Sequence, residues 1–158
     1  MEITTFIKIP LTNSKLFTLV DKTDLHIANK YVWRVESLGY AVAWDNSVKP
    51  RKIVKLHQLI LPTKLFVDHK NRNILDNQRD NLRTANRSQN KVNCKKYKNN
   101  SSGNRGISYH KRLNKWQAYI NWKGKRIYLG YFLDIKDAIN ARNKAALKYH
   151  GEFACLNP

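Results

Sequence analysis

The sequence predicts an α+β fold arranged as two modules. Three observations predict it. Residues 3 to 44 hold short β-branched and aromatic runs between breakers, two polar stretches (70 to 81 and 95 to 104) interrupt the chain, and residues 134 to 151 carry one helical stripe. Short apolar runs bounded by Pro, Gly, Asn and Asp are strand signals, while a 3.6-residue apolar period between capping residues is a helix signal.

In order, Phe6–Ile9, Leu16–Val20, Tyr31–Val35 and Tyr40–Trp44 read as strands, separated by Pro10, Asn13, Gly39 and Asp45-Asn46. Residues 24 to 30 read as a short helix. Residues 53 to 61 are apolar around His57, and periodicity does not decide between strand and helix. Residues 70 to 81 are turn formers, hence a loop. Leu82–Ala85 reads as a brief strand, and Asn86 or Ser88 starts a helix running towards Asn93. Lys95–Asn104 offers almost nothing to bury and reads as a linker. Residues 106 to 109, 116 to 122 and 126 to 132 then read as three antiparallel strands, with Leu113-Asn114 and Lys123-Gly124 at the turns. Asp134 caps a helix whose stripe is Ile135, Ala138, Ile139, Ala145, Ala146 and Tyr149, and Gly151 stops it. The domains expected are therefore 1–94, with a core at about 53–94, a basic linker over 95–103, and a β-β-β-α module over 104–158.

Thirty Lys and Arg face 11 acidic residues in 158, a formal net charge of +19. Self-repulsion on that scale disfavours compaction, so a polyanionic partner is the physical reason for it. Nucleic acid comes first, because neutralised phosphates release counterions. The basic residues are spread along the chain and no basic amphipathic helix stands out, which argues against a membrane surface. No segment approaches the roughly 20 apolar residues of a membrane span, and the start, with Glu2 and no apolar run before Pro10, does not read as a signal peptide. Cys94 and Cys155 stand far apart with no CxxC pair, so neither a thiolate zinc site nor a disulfide scaffold is expected. These features predict a soluble, cytoplasmic protein.

The chemistry-bearing residues lie between 68 and 90. A phosphodiester-cleaving site needs a positioned water, a base for its proton and a cation for charge on the leaving oxygen. His69 is a base of suitable ordinary pKa, and Asp68 and Asn90 offer the hard oxygens a divalent cation prefers. Neighbours on a strand point to opposite sides, so Asp68 and His69 need not crowd each other. Asn81 is placed to fix the strand carrying His69 through side-chain to backbone bonds. The bland alternative is that Asn-rich loops make turns and that an Asp-His pair arises by chance.

Val67-Asp68-His69, Leu75-Asp76-Asn77, Asn81-Leu82-Arg83 and Ser88-Gln89-Asn90 together resemble the HNH endonuclease family. The likeness is to the variant with asparagine in place of the last histidine, as in phage and intron-encoded homing or nicking enzymes. Lys8-Ile9-Pro10-Leu11, Tyr40-Ala41-Val42 and residues 56 to 60 also resemble the start of such proteins. The resemblance implies a ββα-metal site with His69 as general base and Asn81 supporting it. Asp68 and Asn90 would hold one divalent ion, Mg²⁺ with Mn²⁺ able to substitute, and no zinc. His57 matches a recurring position whose role the residues do not give; a packed structural histidine is the simpler reading.

In the last module, alternation puts Ala118, Ile120 and Trp122 on one face and Gln117, Tyr119 and Asn121 on the other. Ile127 and Leu129 join the apolar face, with Arg126 and Tyr128 outward. That outward face suits phosphates and base edges, or is an ordinary solvated sheet face. Arg105-Gly106-Ile107, Trp116, residues 128 to 132, Ala138, Ala145-Ala146 and residues 151 to 157 resemble the APETALA/ethylene-response-factor DNA-binding domain. The resemblance carries contacts to Arg105, Ser108, His110, Tyr119, Asn121, Arg126 and Tyr128, with Arg112 and Lys125 as further candidates. Ser108, Asn121 and Tyr128 depart from the plant pattern, so the plant target sequence does not transfer. The expectation is a metal-dependent, site-specific endonuclease of double-stranded DNA, monomeric or weakly dimeric, carried by a phage or mobile element in a bacterial host. Its rivals are a catalytically silent DNA-binding regulator and a basic RNA-binding protein.

Overall fold

The computed structural model describes residues 6–93 and 100–158. The chain is α+β and divides into two compact units, Met1–Arg87 and Ser88–Pro158. The division falls inside a helix, and each unit is described by itself. No helix among the described residues is long and apolar enough to cross a membrane.

The first unit begins with an antiparallel hairpin, β1 (Phe6–Pro10) and β2 (Phe17–Asp21). A 3-10 turn and α1 (Leu25–Ala28) follow. Of the strand expected over Tyr31–Val35, only β3 (Arg34–Val35) pairs with a neighbour. Trp33 leaves the ladder because its ring goes into the core and its Nε1–H donates to the Ala28 carbonyl at 2.8 Å. A buried indole with a satisfied donor outweighs a ladder bond here. β4 (Ala41–Asp45) and β5 (Lys52–Lys55) complete a three-stranded sheet in the order β3-β4-β5. The undecided segment around His57 is both structures in turn: β5 ends at Lys55 and α2 (Leu56–Ile60) begins at once. Leu11, Val20, Trp33, Ala41, Ala43, Leu56, Ile60 and Leu82 form the core. Each large apolar side chain buried there contributes about 1.5–3 kcal/mol before entropy is counted.

β6 (Phe66–His69) and β7 (Leu82–Ala85) pair antiparallel, with Asp68 opposite Arg83 and His69 opposite Leu82. The loop between them is fastened to the first hairpin. Leu19 N donates to Leu75 O at 2.8 Å and Asn77 N to Leu19 O at 2.9 Å. The Arg79 guanidinium forks onto buried Asp24, Nε to Oδ2 at 2.8 Å and Nη2 to Oδ1 at 2.6 Å. The loop expected over 70 to 81 is thus an ordered clamp ending in a 3-10 turn, Arg79–Asn81. After β7 comes α3 (Arg87–Val92), which crosses the division between the units.

Of the expected linker, 95–99 lie outside the described residues, as does Cys94. Residues 100 to 107 form a bonded turn, with Ser102 Oγ donating to Ile107 O at 2.7 Å. The second unit is the sheet β8 (Ile107–His110), β9 (Lys115–Trp122) and β10 (Lys125–Phe132), packed on α4 (Ile135–His150). Asp134 caps α4 by accepting from Lys136 N at 2.7 Å, and Gly151 ends it at φ 52°. Lys123 and Gly124 turn the second hairpin with φ of 49° and 77°. The first hairpin closes through a 3-10 turn, Lys111–Leu113, before Asn114 at φ 51°. Ile107, Ala118, Ile120, Ala138 and Ala146 are buried between sheet and helix, where small alanines let the layers approach. Asn157 fastens the tail: its amide bonds both the N–H and the C=O of Arg105, while its own N–H and C=O bond the Asn143 amide.

Candidate functional site

In the first unit the site forms around β6. Asp68 and His69 are both buried, at 6% and 3% exposure, and they have different partners, as strand alternation requires. Asp68 meets Arg83 across the ladder: Nε and Nη2 donate to Oδ2 at 2.9 and 2.8 Å. His69 Nε2 lies 3.2 Å from Asn77 Oδ1. Asn77, fully buried, donates from Nδ2 to Thr18 Oγ1 at 2.7 Å, and Thr18 donates to Leu75 O at 2.7 Å.

This chain of bonds assigns the histidine's tautomer. The Thr18 hydroxyl hydrogen is committed to Leu75 O, so Thr18 accepts from the Asn77 amide, and the Asn77 oxygen faces His69. That oxygen only accepts, so Nε2 carries the ring hydrogen and Nδ1 carries the lone pair. Burial pushes the His69 pKa down, opposed by the Asn77 bond and by the charges of Asp68 and Asp76. The lowered pKa favours the neutral ring, the state a general base requires.

His57 lies edge-on to His69, with ring centroids 5.3 Å apart, and Tyr40 packs on His57 at 5.0 Å. Burial above all, then the charges of His69 and Lys55, pushes the His57 pKa to about 3 from an ordinary 6.5. A histidine with a lowered folded pKa binds fewer protons folded than unfolded, so stability is lost as pH falls from 6.5 towards 3. Between pH 7 and pH 4 the first unit is expected to lose roughly 3 kcal/mol through this group. Urea midpoints measured across that range check it, and His57→Phe should flatten the dependence.

Asn81 contacts the loop rather than the imidazole. Its Oδ1 accepts from Asn71 N at 2.9 Å and its Nδ2 donates to Asp76 O at 2.7 Å. Its carbonyl accepts from Lys70 N at 2.9 Å, so it ties down the chain leaving β6. Asn77 and Thr18 are the residues the sequence reading missed. The Leu75-Asp76-Asn77 turn was visible, but its partner Thr18 lies 59 positions away. Arg83 was likewise visible within Asn81-Leu82-Arg83, and only the register sets it on Asp68.

Asn90 is half-buried on α3, in the second unit. Among the described residues no three His, Cys, Asp or Glu side chains gather as a metal cluster. The donor chemistry near His69 is the carboxylates of Asp68 and Asp76 plus amide oxygens, the kind of donors a hard divalent ion takes. Arg83 shares the Asp68 carboxylate.

In the second unit, Ser108, His110, Gln117, Tyr119, Asn121, Arg126 and Tyr128 share the sheet face away from α4 by register. Arg126 stacks on Tyr119, its guanidinium carbon 4.2 Å from the ring centroid, and Tyr128 is 61% exposed. Gln117 donates to Tyr131 OH at 2.9 Å. Lys125 pairs opposite Trp122 and so alternates to the other face. Arg112 sits in the 3-10 turn. Arg105 precedes β8 and donates from Nη1 to Val92 O at 3.1 Å.

The profile of the HNH endonuclease family matches residues 53–92. An uncharacterized HNH endonuclease of Acanthamoeba polyphaga mimivirus is 30% identical over 155 residues, which is 89% of this chain and 74% of that protein. Protein 3.8 of Escherichia phage T7 is 30% identical over 94 residues, 60% of this chain and 77% of that protein. APETALA2-like protein 2 of Oryza sativa subsp. indica is 37% identical over 57 residues, 36% of this chain and 13% of that protein. No solved structure matches the chain.

Proposed function

The chain belongs to the HNH endonuclease family, a phosphodiester-hydrolysing nuclease acting on DNA, and from that premise we propose that it is a metal-dependent, site-specific enzyme of the homing or nicking type. One observation carries the reading: the His69 imidazole is buried, with Nε2 held by the Asn77 oxygen and its pKa pushed down, which assigns Nδ1 to the role of base. In this reading His69 takes a proton from water as its oxygen attacks phosphorus. The bond to the 3′ oxygen breaks, leaving 5′-phosphate and 3′-hydroxyl ends. Asp68 and Asn90 would hold one divalent cation, Mg²⁺ or Mn²⁺, whose charge offsets the negative charge building on the phosphate and the departing oxygen. Asn81 supports His69 by fixing the loop that leaves β6. One such site cuts one strand, so a monomer nicks.

We read residues 104–158 as the targeting module, following the likeness to the APETALA domain. Ser108, His110, Tyr119, Asn121, Arg126 and Tyr128 would face the groove, with Arg105, Arg112 and Lys125 at its edges. The viral relatives support a phage or mobile-element origin and action in a host cytoplasm.

A second reading has its own observation. The fork of Arg83 on Asp68 neutralises the carboxylate a metal needs, which favours a silent DNA-binding regulator. Incubation of the full chain with supercoiled plasmid and phage genomic DNA, with Mg²⁺ or Mn²⁺ and with or without chelator, decides between them. Nicked circles that form only with metal are expected. A gel shift with both DNAs and no cleavage under either metal would leave the regulator.

A further inference from the structure

Within the second unit an open cleft of about 690 Å³ lies beside β9 and the end of α4. Its charge is one-sided. Among the described residues, Lys91, Arg105, Lys123, Arg142 and His150 line it, and no aspartate or glutamate does. Arg142 is only 3% exposed. Among the described residues its Nη1 donates to the Cys155 carbonyl, and its buried Nε has no acceptor. A guanidinium has five N–H donors, and no carboxylate among the described residues pairs with this one.

A buried cation without an anion is unfavourable and calls for an explanation. Burial lowers the Arg142 pKa, the Cys155 side chain opposes that shift, and Arg105 adds to it. His150 is lowered by burial and by Arg142. Lys91, Arg105, Lys123 and Arg142 crowd positive charge around one space that an anion would relieve. The fork geometry of arginine suits phosphate, and the serine and asparagine side chains on the wall add neutral partners. The volume falls in the range of small-molecule sites and exceeds what a bare phosphate fills.

We propose that this cleft binds a phosphate ester, with the Arg142 guanidinium as its central contact. The ester is part of a nucleic-acid strand or a free nucleotide. Ser108, Tyr119 and Asn121 line the cleft and also belong to the outward sheet face, which joins the cleft to the surface proposed to meet DNA. Only the strand as source rests on that DNA-binding reading; the phosphate chemistry does not.

The test follows the Arg142 Nε–H resonance and the backbone amide resonances of Ser108 and Asn121, which line the cleft, in the ¹⁵N-labelled full chain at constant ionic strength; the two amides read the affinity where Arg142 is replaced. Titrants are inorganic phosphate, a deoxynucleoside monophosphate and a short duplex, with chloride as control. A saturable shift with phosphate or the nucleotide, lost about tenfold or more in affinity in Arg142→Lys, supports the cleft. A shift with the duplex alone supports it with the strand as source. A shift with the small phosphates and not the duplex assigns the free nucleotide and detaches the cleft from DNA binding. No saturable shift with any titrant, or equal affinity in a folded Arg142→Lys chain, overturns the proposal. Arg142 also bonds Cys155, so a Lys91→Ala, Lys123→Ala double variant is measured alongside; its affinity should fall several-fold, and an unchanged value also overturns it.

Discussion

His69→Ala is expected to lower the rate of DNA cleavage by about 10²–10⁴-fold, the span general-base catalysis contributes. DNA binding should be unchanged at matched salt, because the substitution removes no cationic side chain. The side chain is buried, so its removal leaves a cavity against His57 and Asn77, and thermal melts must show that the variant folds. That cavity is useful. Imidazole added to the reaction can enter it and supply the missing base, so partial rescue of cleavage by imidazole is expected in His69→Ala alone. Asn77→Leu should cost less than His69→Ala, since the base survives without its fixed tautomer, and imidazole should not rescue it. A folded His69→Ala chain within tenfold of wild type would remove His69 from the base role.

The parts of this site legible in the sequence are those set by neighbours. Asp68-His69 on a strand, the turn after it, and Leu82–Ala85 as the return strand follow from local pattern, and the structure has them. What fixes His69 is not local. Thr18 belongs to a strand at the far end of the chain, and its hydroxyl becomes part of the site only because the β1-β2 hairpin packs against residues 75 to 77. No period or motif encodes that meeting. Arg83 shows the intermediate case: once β6 and β7 are known to pair, counting the register from the turn places it opposite Asp68. His57 was ambiguous for another reason. Residues 53 to 61 carry the signals of strand and helix because they contain one of each, and the switch at Leu56 turns the histidine inward.

The second unit was more legible, since its three strands and its helix are consecutive and their pairing is nearest-neighbour. Its sharpest constraint sits at Gly106, which the sequence marked as a strand residue and as part of a resemblance; the strand begins one residue later, at Ile107. Gly106 has φ 70°, and a Cβ there would strike the carbonyl oxygen of Tyr119, whose N–H bonds Gly106 O at 2.9 Å. Neither backbone can yield without breaking the start of the β8-β9 ladder. Gly106→Ala should therefore destabilise the second unit by about 4 kcal/mol, adding a steric clash to the cost of a left-handed alanine. Gly124→Ala is the matched control: φ is 77° and nothing lies within 4 Å of its Cβ, so it should cost only about 1–2 kcal/mol. Denaturant unfolding of both variants measures the difference, which isolates the clash. Equal losses would mean that β9 relaxes away from Gly106 and that the ladder is not the rigid frame it is taken to be. The targeting role predicts that Gly106→Ala also loses site-specific cleavage.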